Sequence, residues 1–456
     1  MSTNAKSAAP RRKATRTRRT QPKADRPAYA RSTPPIGGRD AALPDWLISG
    51  RPVAERPRFD SAVIIGNGIN ALSVAARLAR SQSFAGRVVL VGKPVEQQRR
   101  LIGGLTLRAR ALDYFAACLG VPRSLILDRL FGGRHAEAAS YAQKVARFER
   151  RENGSYALGR MGEWMSRWHH QGRVLAYGVR NSHLAGVLHD LMAGLDYRWE
   201  DAKPVSMTDC LDLAPGDNPI VINAKPAPLL GVGRTGPKPT QYVVAAQVPF
   251  ANPRQAENGL LPYNNSLFCA RRRRGRLDAS VWYPMIDPLS PSARYYSVFY
   301  RVVRAGSDLH KNAEIETLKN HLFGIGDILG FEPVDPEATM GSAMVPCSPT
   351  RPDREVTPNY LHLGKVHGSG TPIIAGDGMA RAGLTGYVTA EAILAGVEPR
   401  AYLYHAHRGW ARRNRLAHHM FNGLSWITDP ALRWSPGRAL NLIQDYGETW
   451  AGLETD

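Results

Sequence analysis

The feature that most constrains the fold is a glycine turn between a short apolar run and a stretch of helical spacing. Ser61–Ile65 is apolar and fits a buried parallel strand, and residues 66–68 read as a turn. Ile69–Ala79 then places apolar residues on or near one helical face, and residues 87–91 form a second β-branched run. This order predicts a βαβ unit with parallel strands and a right-handed crossover.

The turn carries the pattern Gly66-x-Gly68-x-x-Ala71. Gly66 permits the tight turn, Gly68 lets a pyrophosphate approach the backbone, and Ala71 lets the helix pack closely on the strand. The helix N-terminus offers unpaired N–H groups and a partial positive charge to the phosphates. In its strand–turn–helix context the pattern predicts a dinucleotide site, and the alternative is a plain glycine turn in an α/β protein.

The second strand lacks a feature that dinucleotide sites usually have. An acidic residue normally ends this strand and binds the ribose hydroxyls. Here the strand ends in Val91-Gly92-Lys93, and Glu96 follows too late to match. Either Glu96 bends back to the ribose, or another group holds it.

The rest of the chain mixes helical and strand patterns. Helices are predicted at residues 110–119, 122–130 and 314–329. Aromatic and β-branched runs predict an antiparallel sheet from residues 242–250, 265–270, 279–285 and 295–303. A further apolar strand, 371–375, leads into Gly376-Asp377-Gly378, and helical spacing returns at 389–395. The last strand–loop–helix is expected to return to the first βαβ unit, so the sheet between them is an insertion.

The net formal charge of +21 is unevenly spread along the chain. Residues 1–58 carry fourteen Lys and Arg against four Asp and Glu, a net of +10, with few large apolar residues. Such a composition cannot bury enough surface to offset chain entropy, so this segment is predicted to be a disordered basic tail. The tail could contact nucleic acid or anionic surfaces, or it could simply keep the protein in solution.

Several classes of protein are disfavoured by the composition. The chain has no run of eighteen apolar residues, so no transmembrane segment is expected. Its four cysteines form no CxxC pair, which predicts reduced thiols in a cytoplasmic protein rather than a zinc site or a disulfide framework. The adjacent histidines at 169–170 and 418–419 would diverge on a helix, so neither pair suits a metal ion.

Four segments occur in an order that a known family shares. They are Gly66-x-Gly68-x-x-Ala71, Arg99-Arg100 with Gly104-Leu105-Thr106-Leu107, Val179-Arg180-Asn181-Ser182-His183-Leu184, and Gly376-Asp377-Gly378 with Gly383-Leu384-Thr385-Gly386. They resemble the FAD-dependent monooxygenase superfamily of the para-hydroxybenzoate hydroxylase type. That superfamily also contains flavin halogenases, geranylgeranyl reductases and lycopene cyclases.

The resemblance implies FAD as the cofactor and gives roles to particular residues. Arg99 or Arg100 would contact the cofactor, and Arg180 would lie near the flavin diphosphate. Asp377 would accept hydrogen bonds from the ribityl hydroxyls, unless it is only a turn residue. A helix start at 383–386 would bring backbone N–H groups to the flavin ring. The implied cofactor-binding residues are Gly66, Gly68, Ala71, Arg99, Arg100, Arg180, Gly376, Asp377, Gly383, Leu384, Thr385 and Gly386.

The sequence departs from the family at the middle motif. The hydroxylases carry Asp-Gly after a central strand, where it serves flavin and NAD(P)H contacts. Here the strand at 219–222 leads into Asn223-Ala224-Lys225-Pro226, with no acid. Direct reduction by NAD(P)H is therefore expected to be weak, and a separate flavin reductase is the predicted alternative to NADPH. The halogenase motif Trp-x-Trp-x-Ile-Pro is also absent.

Other side-chain groups have a functional and a plain interpretation. The arginine block 271–274 could bind an anion, but an exposed hairpin is favoured. His183 could be an active-site base, although such a histidine more often bonds locally. The aromatics of the predicted sheet could line a substrate pocket on alternate residues, or could be ordinary sheet packing: Tyr242, Trp282, Tyr283, Tyr295, Tyr296 and Tyr300. No residue is identified as catalytic.

The predicted fold class is α/β, with a Rossmann-type FAD-binding lobe, an inserted antiparallel β-sheet substrate lobe and a C-terminal helical segment. The predicted boundaries are a tail at 1–58, the first part of the FAD lobe at 59–150, a mixed region with an FAD-contacting helix near 180 and the substrate lobe at 151–370, the closing part of the FAD lobe at 371–400, and the helical segment at 401–456.

The predicted function is FAD-dependent monooxygenation of an apolar or aromatic small molecule. An FAD-dependent reductase or a lycopene-cyclase-like enzyme on a prenyl substrate is the alternative among enzymes. A basic nucleic-acid-binding or scaffold protein that kept the fold is the alternative of another class.

Overall fold

The computed structural model describes residues 59–93, 104–158, 162–164, 174, 176–225, 229–230, 232, 241–251, 265–273, 276–288, 290–304, 311–335, 341–346, 359–363, 378–397, 399–400 and 403. Its strands are β1 (Ser61–Ile65), β2 (Val88–Val91), β3 (Gly104–Leu107), β4 (Ala139–Ser140), β5 (Ala142–Arg150), β6 (Tyr156–Leu158), β7 (Gly162–Trp164), β8 (Ala176–Arg180), β9 (Arg198–Glu200), β10 (Pro219–Asn223), β11 (Gln241–Ala251), β12 (Asn265–Arg273), β13 (Arg276–Pro284), β14 (Tyr295–Arg304), β15 (Glu332–Pro333), β16 (Gly341–Pro346) and β17 (Tyr360–His362). Its α-helices are α1 (Ile69–Ala79), α2 (Ala109–Leu119), α3 (Arg123–Phe131), α4 (His135–Ala138), α5 (Asn181–Asp190), α6 (Met207–Leu211), α7 (Lys311–Leu329) and α8 (Gly378–Leu394).

A parallel sheet forms the first lobe, and its described strands have the order β17-β10-β1-β2-β9. β1 lies between β2 and β10, with Val63 opposite both Val89 and Val221. Every residue of β1, β2 and β10 is buried, as expected for a parallel sheet covered on both faces. The βαβ unit predicted from the glycine turn is therefore confirmed as β1–α1–β2.

The helical layer on one face of this sheet joins segments from opposite ends of the folded chain. α8 packs on both α1 and α2, and these helices share a core with β1. Arg77 of α1 and Glu391 of α8 form a buried ion pair, with 2.5 Å between Nε and Oε1. Because removing either partner would leave the other charge unpaired in the core, this pair holds α8 in place on α1.

The helix start predicted at 383–386 is wrong, because α8 begins at Gly378 and runs straight through this segment. A β-carbon built on Gly383 would lie 2.8 Å from the Cβ of Tyr114 in α2. One built on Gly386 would lie 2.4 Å from the Cβ of Ser73 in α1. These glycines let α1, α2 and α8 approach closely. Glycine is needed at both positions for tertiary packing, not for a turn.

Replacing Gly386 with alanine is expected to lower the free energy of unfolding by about 1–3 kcal/mol, because the added methyl overpacks the contact with Ser73. Gly186 of α5 is a matched control, since a β-carbon there meets no described heavy atom within 4 Å. Gly186→Ala should instead stabilise by about 0.5–1 kcal/mol through helix propensity. Urea denaturation measures both, and equal effects of the two substitutions would contradict close packing at Gly386.

The second lobe is a large mixed sheet whose described strands have the order β15-β11-β14-β13-β12-β5-β6, with β16 paired to β11 and β7 to β5. The pairs among β11, β14, β13 and β12 are antiparallel, which confirms the predicted antiparallel lobe. α7 covers one face and buries a core with Phe250, Trp282 and Phe299. β5 pairs with β12 in parallel, so residues 142–150 lie in this sheet although the predicted boundary placed them in the FAD lobe.

A small sheet of β3, β8 and β4 connects the two lobes. Gly178 of β8 bridges to Met285 beyond the end of β13. A β-carbon on Gly178 would lie 2.0 Å from the carbonyl oxygen of Pro284, so only glycine fits this crossing. The backbones of the two lobes are thus in direct contact.

Some predictions lie outside the described residues. They are the basic tail at 1–58, the strand at 371–375, and the C-terminal segment at 401–456 apart from Leu403. The hairpin expected at the arginine block is confirmed for the described part, since Arg273 pairs with Arg276 at the β12–β13 turn. Among the described residues, no helix has the length and apolar character needed to span a membrane.

Candidate flavin site

The carboxyl ends of the central parallel strands meet at one edge of the first lobe. The backbone N–H of Gly66, after β1, donates to the carbonyl of Val91 at 2.7 Å. The N–H of Ala224, after β10, donates to the carbonyl of Ile65 at 2.9 Å. In open α/β sheets this edge is where ligands bind, so these strand ends define the candidate site.

The glycine turn at this edge leaves open space above the start of α1. Gly66 has φ +109°, a conformation that favours glycine. Gly68 is the N-cap of α1, and a β-carbon built on it would meet no described heavy atom within 4 Å. No side chain caps this helix, and its first turn contains no acid. The first N–H groups of α1 are therefore available to an anion.

A buried amide lies in the same turn. Asn67 is only 3% exposed, and its Nδ2 has no hydrogen-bond partner among the described residues. Its side chain is next to Gly92, at the end of β2 where an acid was expected, because a β-carbon on Gly92 would lie 3.6 Å from Asn67 Cγ. A buried donor without a partner is costly, so this N–H is suited to a bound ligand.

β9, the strand beside β2, ends in an acidic residue, Glu200. The N–H of Gly92 donates to the backbone carbonyl of Glu200 at 2.9 Å, which places that residue at the same edge. Its carboxylate pairs with Arg198 at 3.0 Å. Glu96, the acid that the sequence offered, lies outside the described residues.

Residues 223–225, which lie at the end of β10 and just beyond it and lack the acid of the hydroxylase motif, are held by local hydrogen bonds. The buried Asn223 side chain donates from Nδ2 to the Tyr360 hydroxyl at 3.0 Å and accepts from the N–H of Lys225 at 2.9 Å. His362 Nε2 lies 2.8 Å from the carbonyl oxygen of Lys225. These contacts tie the segment to β17 and fix the backbone of Lys225.

Arg180 and Asp287 form a buried ion pair at the junction between the lobes. Arg180 ends β8, and its Nε donates to the two Asp287 carboxylate oxygens at 2.8 and 3.0 Å, with a further short contact from the guanidinium. The side chain of Asp287 is fully buried and that of Arg180 is 10% exposed. The nearby His183 bonds to the carbonyl of Leu130 at 2.9 Å, which supports the plain interpretation of that histidine.

The aromatics of the large sheet divide between its two faces. Trp282 and Tyr295 are in the core under α7, whereas Tyr283 and Tyr296 form a separate cluster with Met285. Tyr283 lies against Gly178. This cluster therefore faces the connecting sheet and the first lobe.

Tyr283, on this second face, is protonated at ordinary pH. Burial raises the pKa of Tyr283 well above its usual range, and the neighbouring Tyr296 adds to that shift. Tyr296 donates to Gln247 Oε1 at 2.5 Å, and partly buried Val281 and Val298 complete the face. The face is apolar and aromatic, with phenol groups that can donate hydrogen bonds.

Neither metal nor thiol chemistry is indicated within the described residues. They contain no group of three or more His, Cys, Asp or Glu side chains that could hold a metal ion. Burial raises the pKa of the Cys118 and Cys269 thiols to about 12. Burial also raises the pKa of Cys210, to about 11, so these thiols are protonated and poorly nucleophilic at neutral pH.

Solved structures with FAD share this arrangement of lobes. An HpxO variant from Klebsiella pneumoniae complexed with FAD aligns with a TM-score of 0.52 and 16% identity, over 86% of this chain and 98% of that chain. HpxO complexed with FAD and uric acid aligns with a TM-score of 0.51 and 15% identity, over 86% and 97%. The chain has the fold of the FAD-dependent monooxygenases of the para-hydroxybenzoate hydroxylase type.

The flavin monooxygenase fold is identified from structure alone. The sequence matches no protein-family model, and no curated protein is significantly similar to it. The tetracycline destructase Tet(51) also aligns, with a TM-score of 0.46 and 13% identity, over 87% of this chain and 98% of that chain.

The monooxygenase fold brings together only some of the residues predicted to bind the cofactor. Gly66, Gly68 and the buried Ala71 lie together at the turn and the start of α1. Arg180 is at the lobe junction, bound to Asp287, and its role toward the cofactor stays a prediction. The remaining predicted residues fall into two groups, those within α8 (Gly383, Leu384, Thr385 and Gly386) and those outside the described residues (Arg99, Arg100, Gly376 and Asp377).

Three features of the site were not predicted from the sequence. Asn67 occupies a variable position of the glycine pattern, Asp287 is an isolated loop acid, and the place of Lys225 beside the turn depends on strand order. The sequence does indicate that Arg180 has an ionic partner, because a charged residue at the end of a buried strand needs one. The identity of that partner depends on contacts that are distant in sequence.

Proposed function

We propose that this chain is an FAD-dependent oxidoreductase that acts as a monooxygenase on an apolar or aromatic small molecule. The supporting observation is the N-terminus of α1, where among the described residues no side chain caps the helix, no heavy atom lies within 4 Å of a β-carbon built on Gly68, and Asn67 Nδ2 has no partner. Backbone N–H groups and a buried amide donor fit a diphosphate and its attached ribose. The described residues thus fit the diphosphate part of FAD.

The protein's own groups would hold the cofactor and keep water from it. The turn at Gly66 and Gly68 would bind the diphosphate, the Asn67 amide would donate to it or to the adjoining sugar, and Asp377 is expected at the ribityl chain. FAD, when bound, would carry electrons from an external donor to molecular oxygen. The chain supplies position and a dry site, so no protein acid or base is required.

The second face of the large sheet supports an aromatic or apolar substrate. Tyr283 and Tyr296 are buried there, with ring centroids 5.5 Å apart, and Met285 packs beside them. Such an aromatic layer would give the site an apolar wall suited to a planar molecule. HpxO, which has the same fold, is known in complex with FAD and uric acid.

The test of FAD binding begins with the purified protein. We expect a yellow protein whose flavin is released by denaturation, and an apoprotein that quenches the fluorescence of added FAD. The tail-deleted protein, lacking residues 1–58, should bind equally well, because the turn and strand ends lie outside that segment. A colourless protein that leaves FAD fluorescence unchanged would refute the proposal.

The source of electrons gives a second prediction. Since Asn223 and Lys225 stand where the hydroxylases carry an acid, we expect NADPH and NADH to bleach the flavin slowly under anaerobic stopped-flow conditions. An added flavin reductase should make bleaching fast. The reason is that the missing acid removes a hydrogen-bond acceptor for the nicotinamide nucleotide. Such a hydrogen bond contributes about 1 kcal/mol to binding, or more if the acceptor is charged. Rapid bleaching by either nucleotide alone would refute this prediction and indicate a self-sufficient hydroxylase.

Two alternatives have specific observations in their favour. The absence of an acid in residues 223–226 favours a reductase or a cyclase-like enzyme on a prenyl substrate, and the cyclase would form product without flavin bleaching in each turnover. The charge of +21 favours a basic scaffold or nucleic-acid-binding protein. Salt-dependent retention of the tail-deleted protein on a polyanion, without FAD binding, would support the latter.

A further inference from the structure

Lys225 lies directly against the glycine turn of the candidate flavin site. Because β1 and β10 are adjacent and parallel, the residues after both strands meet at the same edge. A β-carbon built on Gly66 would lie 3.6 Å from Ala224 Cβ and 3.7 Å from Lys225 Cγ. The aliphatic stem of Lys225 therefore packs against the turn that presents N–H groups to the candidate diphosphate position.

The backbone of Lys225 is fixed on both sides. Its N–H donates to Asn223 Oδ1 at 2.9 Å, and its carbonyl oxygen is 2.8 Å from His362 Nε2. Asn223 is in turn held by Tyr360, at 3.0 Å. A long side chain on an anchored backbone loses less conformational entropy when it binds, so this lysine is better prepared than a surface lysine to contact a ligand.

The ammonium group of Lys225 has no acidic partner among the described residues. It forms no ion pair with any of them, and its electrostatic neighbours are the Cys210 sulfur and, more weakly, the ammonium group of Lys203. Partial burial lowers the pKa of Lys225, the Cys210 thiol partly offsets this, and Lys203 lowers the pKa further. A partly buried cation without a counter-charge costs free energy, and a bound anion would remove that cost.

The groups near Lys225 are also hydrogen-bond donors that have no acidic acceptor among the described residues. The N-terminus of α1 is uncapped and has no acid in its first turn, and the buried Asn67 Nδ2 has no described partner. The stem of Lys225, the helix N-terminus and the Asn67 amide thus lie around one glycine turn, and with the lysine ammonium swung toward the turn they would suit a ligand with two adjacent negative phosphates.

We propose that Lys225 contacts the diphosphate of the bound dinucleotide, so that a cation supports the cofactor at the position where related hydroxylases carry an acid. The proposal rests on the proposed FAD function and adds a specific residue to it. It also changes how the cofactor is held, because part of the affinity becomes electrostatic and sensitive to salt. The reversal from acid to lysine is then a functional substitution rather than the simple loss of a motif.

The test compares the FAD dissociation constants of the wild type, Lys225→Met and Lys203→Met. Methionine retains a stem of similar length and removes the charge, and the exposed Lys203 is the matched control for a nearby charge. Lys225→Met should raise the Kd about 10- to 100-fold and flatten its dependence on salt, the loss expected for one charge-assisted contact. Lys203→Met should change the Kd by less than about threefold, and Lys225→Arg should restore most of the affinity.

A second measurement uses the wild-type protein and does not depend on a variant that folds. Bound FAD should protect Lys225 from acetylation, as read by mass spectrometry, whereas Lys203 should react equally with and without FAD. Unchanged Kd in Lys225→Met, or equal acetylation of Lys225 in both states, would overturn the proposal while leaving FAD binding intact. A wild type that binds no FAD would instead overturn the proposed function together with this contact.

Discussion

Gly68→Asp is expected to abolish FAD binding without destabilising the fold. Gly68 is the N-cap of α1 and has φ −73° and ψ 172°, an extended conformation that any residue adopts. Aspartate is a favoured N-cap and, relative to glycine, should add a few tenths of a kcal/mol to helix stability. Its carboxylate would also occupy the space where the diphosphate is proposed to bind. Repulsion of about 4 kcal/mol at contact distance corresponds to about a 1000-fold rise in Kd.

The matched control for this substitution is Gly68→Asn, which has nearly the same size and also caps a helix, but carries no charge. The difference in Kd between the two variants isolates the electrostatic effect of the carboxylate. Fluorescence quenching of FAD measures the affinity, and thermal unfolding without FAD measures the stability. An aspartate variant with near wild-type affinity would show that no phosphate lies over Gly68.

Arg180→Met is expected to lower the free energy of unfolding by about 3–5 kcal/mol, because it leaves the Asp287 carboxylate buried without a counter-charge. The carboxylate side chain is fully buried, and Arg180 Nε donates to its Oδ1 at 2.8 Å. The double variant Arg180→Met with Asp287→Leu removes both charges and should recover most of the lost stability. Urea denaturation of the wild type and these variants measures the effect.

The double variant also separates the two roles considered for Arg180. If FAD affinity survives in the double variant, the arginine serves to join the lobes through Asp287. If FAD affinity falls while stability recovers, the role near the diphosphate implied by the family resemblance is correct. Equal stability of the single variant and the wild type would contradict the buried pair.

The sequence was most informative where structure is decided locally. The strand, turn and helix around Gly66 were predicted with nearly correct ends, because periodicity and glycine chemistry act within a few residues. The antiparallel strands from 241 to 304 were likewise visible as alternating aromatic and β-branched runs. The family resemblance agreed with these elements, and the fold comparison bears it out.

The errors arose where distant segments decide the structure. Gly383 and Gly386 suggested a loop or helix start. In the structure they lie within α8, where the close approach of α2 and α1 leaves no room for a side chain. The parallel pairing of β5 with β12 gave no local signal, because it joins strands that are far apart along the chain. Within the site, the contact between Lys225 and the glycine turn became evident only once β10 was placed beside β1.

The position of α8 on α1 has a consequence for how the chain acquires its structure during synthesis. The apolar face of α1 is completed by residues near 390, which leave the ribosome long after α1 itself. At ordinary elongation rates the interval is on the order of tens of seconds. During that time Leu72 and Val74 lack part of their native cover, so the nascent chain exposes a surface that chaperones bind. The first lobe therefore completes folding late in translation, and a ribosome that stalls within the inserted sheet would release an aggregation-prone fragment.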